Sequence, residues 1–209
     1  MTELPALIAA FTTLFIIIDP PGLAPVFIAL TQGMGPAQRR AIATRAVLVA
    51  TALMMMFLLL GEAVLGFIGI SMDAFRIAGG ILLFLTALDM LFQRRQARRE
   101  DNAAEGQAEH HDDPSVFPLA LPLIVGPGAI TTVILLSGQA QGAADLGAIA
   151  GVIVAVLAIV MLAFIAAPAI ERALGKTGLN IVTRVLGMLL AALAVQFVLE
   201  GLRGFGIGG

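Results

Sequence analysis

Six apolar stretches, each close to the roughly 20 residues that a helix needs to cross a hydrocarbon layer, constrain this chain more than any other feature. They run from Pro5 to Leu30, Ala43 to Ile70, Ala74 to Phe92, Val116 to Ser137, Leu146 to Ile170 and Ile181 to Leu202. With 59% hydrophobic residues, 12% charged residues and a mean hydropathy of +1.01, the chain has too little polar surface to keep a domain wet. Lipid is the expected solvent, and the expected fold is an all-α membrane protein of six transmembrane helices. Met1-Thr2-Glu3-Leu4-Pro5 lacks the basic start of a signal peptide, and the apolar run after it leads into further spans, so the first helix is expected to stay.

Between the spans lie short polar segments and one long one, Gln93 to Pro114. This carries Arg94, Arg95, Arg98 and Arg99, followed by Glu100, Asp101, Glu105, Glu109, Asp112 and Asp113. With almost no large apolar residue to bury, it reads as a mobile polar loop, dividing the chain into 1–92, 93–115 and 116–209. The connections after spans one, three and five share one face and hold Arg39, Arg40, Arg45, Arg94, Arg95, Arg98, Arg99, Arg172, Lys176 and Arg184. The other face has Arg76 and Arg203, which completes the 12 basic residues. The positive-inside rule assigns the richer face, with the 93–115 loop, to the cytoplasm of a bacterial inner membrane and both termini to the outside. Trp and Tyr are absent, so no aromatic belt marks the interfaces and the helix ends fall to Arg and turn residues.

The chain matches itself. A shift of 106 residues places Pro21 on Pro127, Gly22 on Gly128 and Phe11 on Phe117, and a shift of 108 places Arg76-Ile77-Ala78-Gly79 over Arg184-Val185-Leu186-Gly187. Two motifs in the same order at nearly the same offset point to an internal repeat. Each half has an odd number of spans, so the second enters the membrane from the opposite side: two inverted 3+3 repeats. Interrupted hydrophobic segments at matching positions of such halves are the best sequence pointer to a transporter binding site.

The interruptions are Asp19-Pro20-Pro21-Gly22 and Gly126-Pro127-Gly128. Proline removes a backbone donor, clashes with the carbonyl four residues back and pushes its predecessor out of the helical region. Spans one and four are therefore expected to break. At 1.5 Å per residue, Asp19 lies roughly 21 Å along its span and Gly126-Pro127-Gly128 roughly 15 to 18 Å along theirs, close to the middle of a layer about 30 Å thick. A break there survives only against protein or a water-filled cavity. New half-helices starting at Pro20 or Pro21, and at Pro127 or Gly128, would turn free amides and positive dipole ends toward the interior, a receptor for a carboxylate. Gly22 and Gly128 would let a ligand approach the backbone, and the hydroxyls of Thr131 and Thr132 would help to orient it. Kinked packing in an ordinary bundle is the plainer reading of the same residues.

Asp19 reads either as the N-cap of the second half-helix or as a ligand for an ammonium group or a proton. Arg76 and Arg184, at the starts of spans three and six, read as snorkelling anchors, or as latches paired with Asp73 or Glu171. Pro25, Gly79, Gly80 and Gly187 read as gating or structural, the glycines allowing close helix contact. Gln196, polar and deep in span six, reads as an interhelical hydrogen bond or as a pathway residue.

Several classes are set aside. The net charge of −2 and the lack of a basic, aromatic stripe argue against nucleic acid. With no cysteine, thiol chemistry is excluded. Glu109-His110-His111-Asp112-Asp113 does not present the fixed geometry of a metal site. No Ser-His-Asp arrangement, His-Glu-x-x-His or phosphate loop occurs, so neither an enzyme nor a cofactor is expected. Six short spans enclose little volume, and a homo-oligomer is compatible with the sequence.

The blocks Asp19 to Pro25, Phe75 to Gly80, Gly126 to Thr132 and Thr183 to Gly187, in this order, resemble the signature blocks of the MarC family. The resemblance covers nearly the whole chain. It implies a relation to SnatA-type proteins, considered transporters of small neutral amino acids such as glycine and alanine, and a distant likeness to LysE-type exporters. The family name reflects an antibiotic-resistance locus, which is weak support for drug efflux. The acidic, histidine-containing stretch Glu100 to Asp113 departs from the family pattern. The reading is a secondary transporter of small neutral amino acids in a lipid bilayer, with multidrug efflux and a non-transporting scaffold as its rivals.

Overall fold

The computed structural model describes residues 4–95, 98–99 and 113–207, and among these there are helices and no strands. The chain order is α1 (Leu4–Ile18), α2 (Pro20–Leu30), α3 (Pro36–Ile68), α4 (Met72–Leu91), α5 (Ser115–Ile124), α6 (Pro127–Ser137), α7 (Ala143–Ile165) and α8 (Ala167–Gly204). Residues 94–95 and 98–99 are helical as well. Five spans among the described residues are long and apolar enough to cross a bilayer: Leu4–Leu30, Pro36–Ile68, Met72–Leu91, Ala143–Ile165 and Thr177–Gly204. The pair α5 and α6, bent by 61°, makes a sixth when the two are counted as one span.

Local chemistry places the ends. Pro36 fills the first position of α3, where a missing amide costs nothing, and Gly69 closes the helix at φ 83, a left-handed conformation that glycine adopts without strain. The Ser71 hydroxyl accepts from the Ala74 amide at 3.2 Å and starts α4. Gly175, at φ 59, separates the short polar start of α8 from its apolar body. In α5 the ladder slips to five-residue bonds, Leu119 to the Pro114 carbonyl at 3.2 Å and Val125 to that of Ala120 at 2.9 Å. Phe117 and Leu121 are extended because each precedes a proline.

Span one is the axle of the packing. In its most apolar stretch 72% of residues are inside the molecule, against 22% for α3. Leu14, Ile16, Ile17, Ile18 and Leu23 are fully buried, and Phe27 stacks on Phe164 of α7 with ring centroids 4.4 Å apart. The apolar faces of α3, α4 and α8 look outward, as they must in lipid, where exposed Leu, Ile and Phe are at no disadvantage.

Helices α4 and α8 meet through small residues. A β-carbon on Gly80 would lie 2.8 Å from the Ala194 carbonyl and 3.1 Å from the Val198 nitrogen. One on Gly187 would lie 3.2 Å from the Ala87 carbonyl and 3.4 Å from the Leu91 nitrogen. Thr131 of α6 puts its methyl in the space that a side chain on Gly79 would take.

Two expectations are corrected here. The second span begins at Pro36, not Ala43, so Arg39 and Arg40 ride on the first turns of α3 rather than preceding it. Arg95 and Arg99 are not parts of a mobile polar loop: the Arg99 side chain is 4% exposed and lies against span one. The histidine-containing cluster 109–112 lies outside the described residues, and Asp113, next to it, pairs with Arg45.

Candidate functional site

The break in span one follows from which backbone groups still have partners. In an unbroken helix the carbonyls of Ile16, Ile17 and Ile18 would accept from residues 20, 21 and 22. Pro20 and Pro21 have no amide hydrogen, and the Gly22 amide turns instead to Asp19 Oδ1 at 3.1 Å. Asp19 adopts the left-handed conformation (φ 56, ψ 65), which Asp tolerates better than most residues, and acts as the N-cap of α2. Three carbonyls are thus orphaned in a buried place, where each unmet group costs several kcal/mol in lipid.

The segment after α4 supplies donors for two of them. Arg99 Nη2 donates to the Ile18 carbonyl at 2.9 Å, and Arg95 Nη2 donates to the carbonyl of Ile17. Arg99 Nη1 pairs with Asp19 Oδ2 at 3.0 Å, with side chains 4% and 0% exposed. Both carboxylate oxygens of Asp19 are therefore engaged, one on Gly22 and one on Arg99. Gly22 has to be glycine, since a β-carbon would collide with the Asp19 carboxylate and stand 2.7 Å from Arg99 Nη1.

The break in span four is built differently. Gly126 is the N-cap of α6 with no side-chain cap, Pro127 follows, and the first backbone bond of the helix runs from Ile130 to the Gly126 carbonyl at 3.1 Å. The amides of Gly128 and Ala129 fall in the first turn, whose donors have no acceptor within the helix. Gly128 packs closely: a β-carbon there would lie 3.2 Å from Leu83 Cδ2 and 3.3 Å from Ile17 Cγ2. The second break thus rests directly on the last turn of α1, two residues before the first.

Beside this contact opens a cavity of about 480 Å³. Its walls are the end of α4 with Thr86 and Asp89, the turn Gly126-Pro127-Gly128-Ala129, Ile17, and all four arginines of the segment after α4. Arg98 pairs with Asp89 at 2.7 Å. Arg94 lies 5.8 Å from the centre of the Phe92 ring, and Arg95 also donates to Met90 Sδ at 3.1 Å. Neither Arg94 nor Arg95 has an ion pair among the described residues.

Of the residues singled out in the sequence, Asp19, Pro20, Pro21, Gly22, Gly126, Pro127 and Gly128 come together at the two breaks. The expected convergence of free amides from both half-helices is not found, because α2 has none to offer. Of the first four residues of α2, two are prolines, Gly22 is capped by the Asp19 side chain and Leu23 bonds the Asp19 carbonyl at 3.1 Å. Thr131 and Thr132 are buried but are not among the residues lining the cavity, and Thr132 Oγ1 has no partner among the described residues. Gln196 stands apart: it is exposed on α8 and its amide donates to Glu200 Oε1 at 3.0 Å, one turn along the same helix. Arg76 is paired with Asp73 at 3.1 Å, Arg184 is exposed, and Pro25 sits inside α2.

Arg95, Arg99, Asp89 and Thr86 were absent from the sequence reading of the site. A signal for two of them existed: a buried aspartate and orphaned carbonyls need cationic donors, and Arg95 and Arg99, four apart, share one helix face, with Arg94 and Arg98 on another.

The family model for MarC family integral membrane proteins matches residues 4–205. This chain belongs to the MarC family. It is 42% identical to a UPF0056 membrane protein of Archaeoglobus fulgidus over 93% of this chain and 91% of that one. It is 36% identical to the UPF0056 membrane protein YvbG of Bacillus subtilis over 95% and 94%. With YhcE of Escherichia coli, a UPF0056 membrane protein, it shares 33% identity over 97% and 94%. No solved structure matches this chain. The four blocks that carried the resemblance all fall inside the matched region, and the break-forming prolines of this MarC family chain are among them.

Proposed function

We propose that this MarC family chain is a secondary transporter of small neutral amino acids, built as two inverted three-helix halves in a bacterial inner membrane. The observation that carries the reading is the packing of two broken spans on one another, Gly128 on Ile17, beside a cavity with glycine, hydroxyl and guanidinium groups in its walls. Broken helices that meet at a cavity are how transporter folds expose backbone groups and dipole ends to a solute. Among the described residues no aromatic side chain lines the cavity, which favours a small polar solute over a bulky drug. The glycine and alanine class comes from the family resemblance.

The element starts support the two halves. Residue 127 of α6 is 107 beyond residue 20 of α2, and residue 143 of α7 is 107 beyond residue 36 of α3. The same shift carries Gly80 to Gly187, Ala87 to Ala194 and Leu91 to Val198. It thereby exchanges the two glycine contacts across the α4 and α8 interface. Reciprocal contacts of this kind are what a two-fold axis produces.

The test is uptake of radiolabelled glycine and alanine into proteoliposomes, with and without imposed proton and sodium gradients. Accumulation above empty liposomes is expected. If folded protein moves neither solute, the amino acid assignment fails.

A further inference from the structure

Among the described residues, the cavity wall carries more positive charge than its own acids neutralise, four arginines against Asp89. Arg98 is matched by Asp89, and Arg99 by Asp19, which lies behind it and is fully buried. Arg95 lines the same wall and spends its donors on neutral acceptors, the Ile17 carbonyl and Met90 Sδ. A guanidinium has five N–H donors in a planar fork that fits a carboxylate with two parallel bonds. A cation held in poorly hydrated surroundings without a counter-charge is costly, so an anion entering the cavity gains more here than at an open surface.

We propose that Arg95 and Arg99 form the carboxylate subsite of this cavity, and that Arg99 exchanges Asp19 for the solute's carboxylate on binding. The inference rests on the transport reading and gives its solute a recognised group. Arg99 reaches both partners because it lines the cavity and pairs with Asp19. Gly128 and Ala129 line the same cavity, and their amides, in the first turn of α6, are further donors for the same oxygens. No bond is made or broken beyond hydrogen bonds, and no proton need move. Once Arg99 turns to the solute, Asp19 is left with Gly22 alone and is available to an ammonium group. A zwitterion therefore satisfies both halves of the pair that it parts.

The experiment is competition against radiolabelled glycine on the full chain in nanodiscs of zwitterionic lipid, with acetate, propionate and methylamine as competitors. A parallel series contains phosphatidylglycerol. Acetate and propionate should displace glycine and methylamine should not. R95Q should weaken glycine and acetate together by about 10- to 100-fold, the loss of a charge-assisted pair. R95K, which keeps the charge but not the fork, should fall between, and R45A, remote from the cavity, should bind as the unaltered chain does. Glycine binding that ignores carboxylates and is unchanged in R95Q overturns the subsite and leaves the transport reading standing. Acetate binding that depends on Arg95, without glycine transport, supports the subsite and removes the amino acid. Arg95-dependent binding of phosphatidylglycerol with no effect of acetate overturns the proposal in favour of a lipid headgroup. If R95Q does not fold, the competition series on the unaltered chain decides the matter alone.

Discussion

Replacing Arg99 with glutamine while Asp19 stays in place strands a carboxylate at a position with 0% exposure and takes the donor from the Ile18 carbonyl. Breaking one side of a buried pair costs about 3–5 kcal/mol, because the remaining charge has neither water nor a partner. Asp19→Asn should cost less than that. Its amide oxygen can still cap Gly22, and Arg99 keeps its bond to Ile18, although the guanidinium is then left buried without a counter-charge. In the double variant both charges are gone and two amides replace them at the same place. It should be more stable than R99Q alone, with a coupling of about 2 kcal/mol or more between the two sites, near the upper part of the usual range for residues in one network. The measurement is reversible unfolding in mixed micelles, titrated with a denaturing detergent and followed by circular dichroism, for the four members of the cycle. If the two single effects add to within about 0.5 kcal/mol, Arg99 and Asp19 do not act on each other, and the account of the first break is wrong.

Gly22→Ala should destabilise the chain by about 1–3 kcal/mol through overpacking, since the added carbon meets the Asp19 carboxylate and Arg99. A thermal scan of the detergent-solubilised variant reads this, and an unchanged midpoint would contradict the tight turn. Gly80→Leu and Gly187→Leu should each open the contact between α4 and α8, and their losses should be alike because each meets the other helix's backbone in the same way. Unfolding midpoints that fall in one variant and hold in the other would count against the reciprocal packing.

The spans were legible because length and apolarity are properties of a window, and a window of about 20 residues is enough to decide them. The breaks were legible for a covalent reason: proline has no amide hydrogen wherever it sits. The same fact was read incompletely, since two consecutive prolines also deprive α2 of the donors expected at its start. The early start of α3 was hidden because Arg39 and Arg40 interrupt the apolar pattern, while the helix that carries them simply continues beyond it. Gln196 was misplaced because polarity inside an apolar run suggests an inward role, whereas its partner Glu200 lies four residues on along the same exposed face. The partner of Asp19 could not be read from any window. It lies 80 residues away, in a stretch whose charge density looks like solvent-exposed loop until the orphaned carbonyls of Ile17 and Ile18 are counted.

That separation has a consequence for how the protein is made. Ile17 and Ile18 leave the ribosome long before Arg95 and Arg99, the donors on which their carbonyls end. At ~5–20 residues per second the interval is ~4–16 s. Throughout it the first span has a gap in its hydrogen-bond ladder that lipid cannot fill, so the nascent segment has to remain beside water or the insertion machinery. Only when the third span is in place and its arginine-bearing tail folds back does the first become a self-sufficient membrane helix. The order of synthesis and the order of completion are therefore reversed for the segment that ends up at the centre of the molecule.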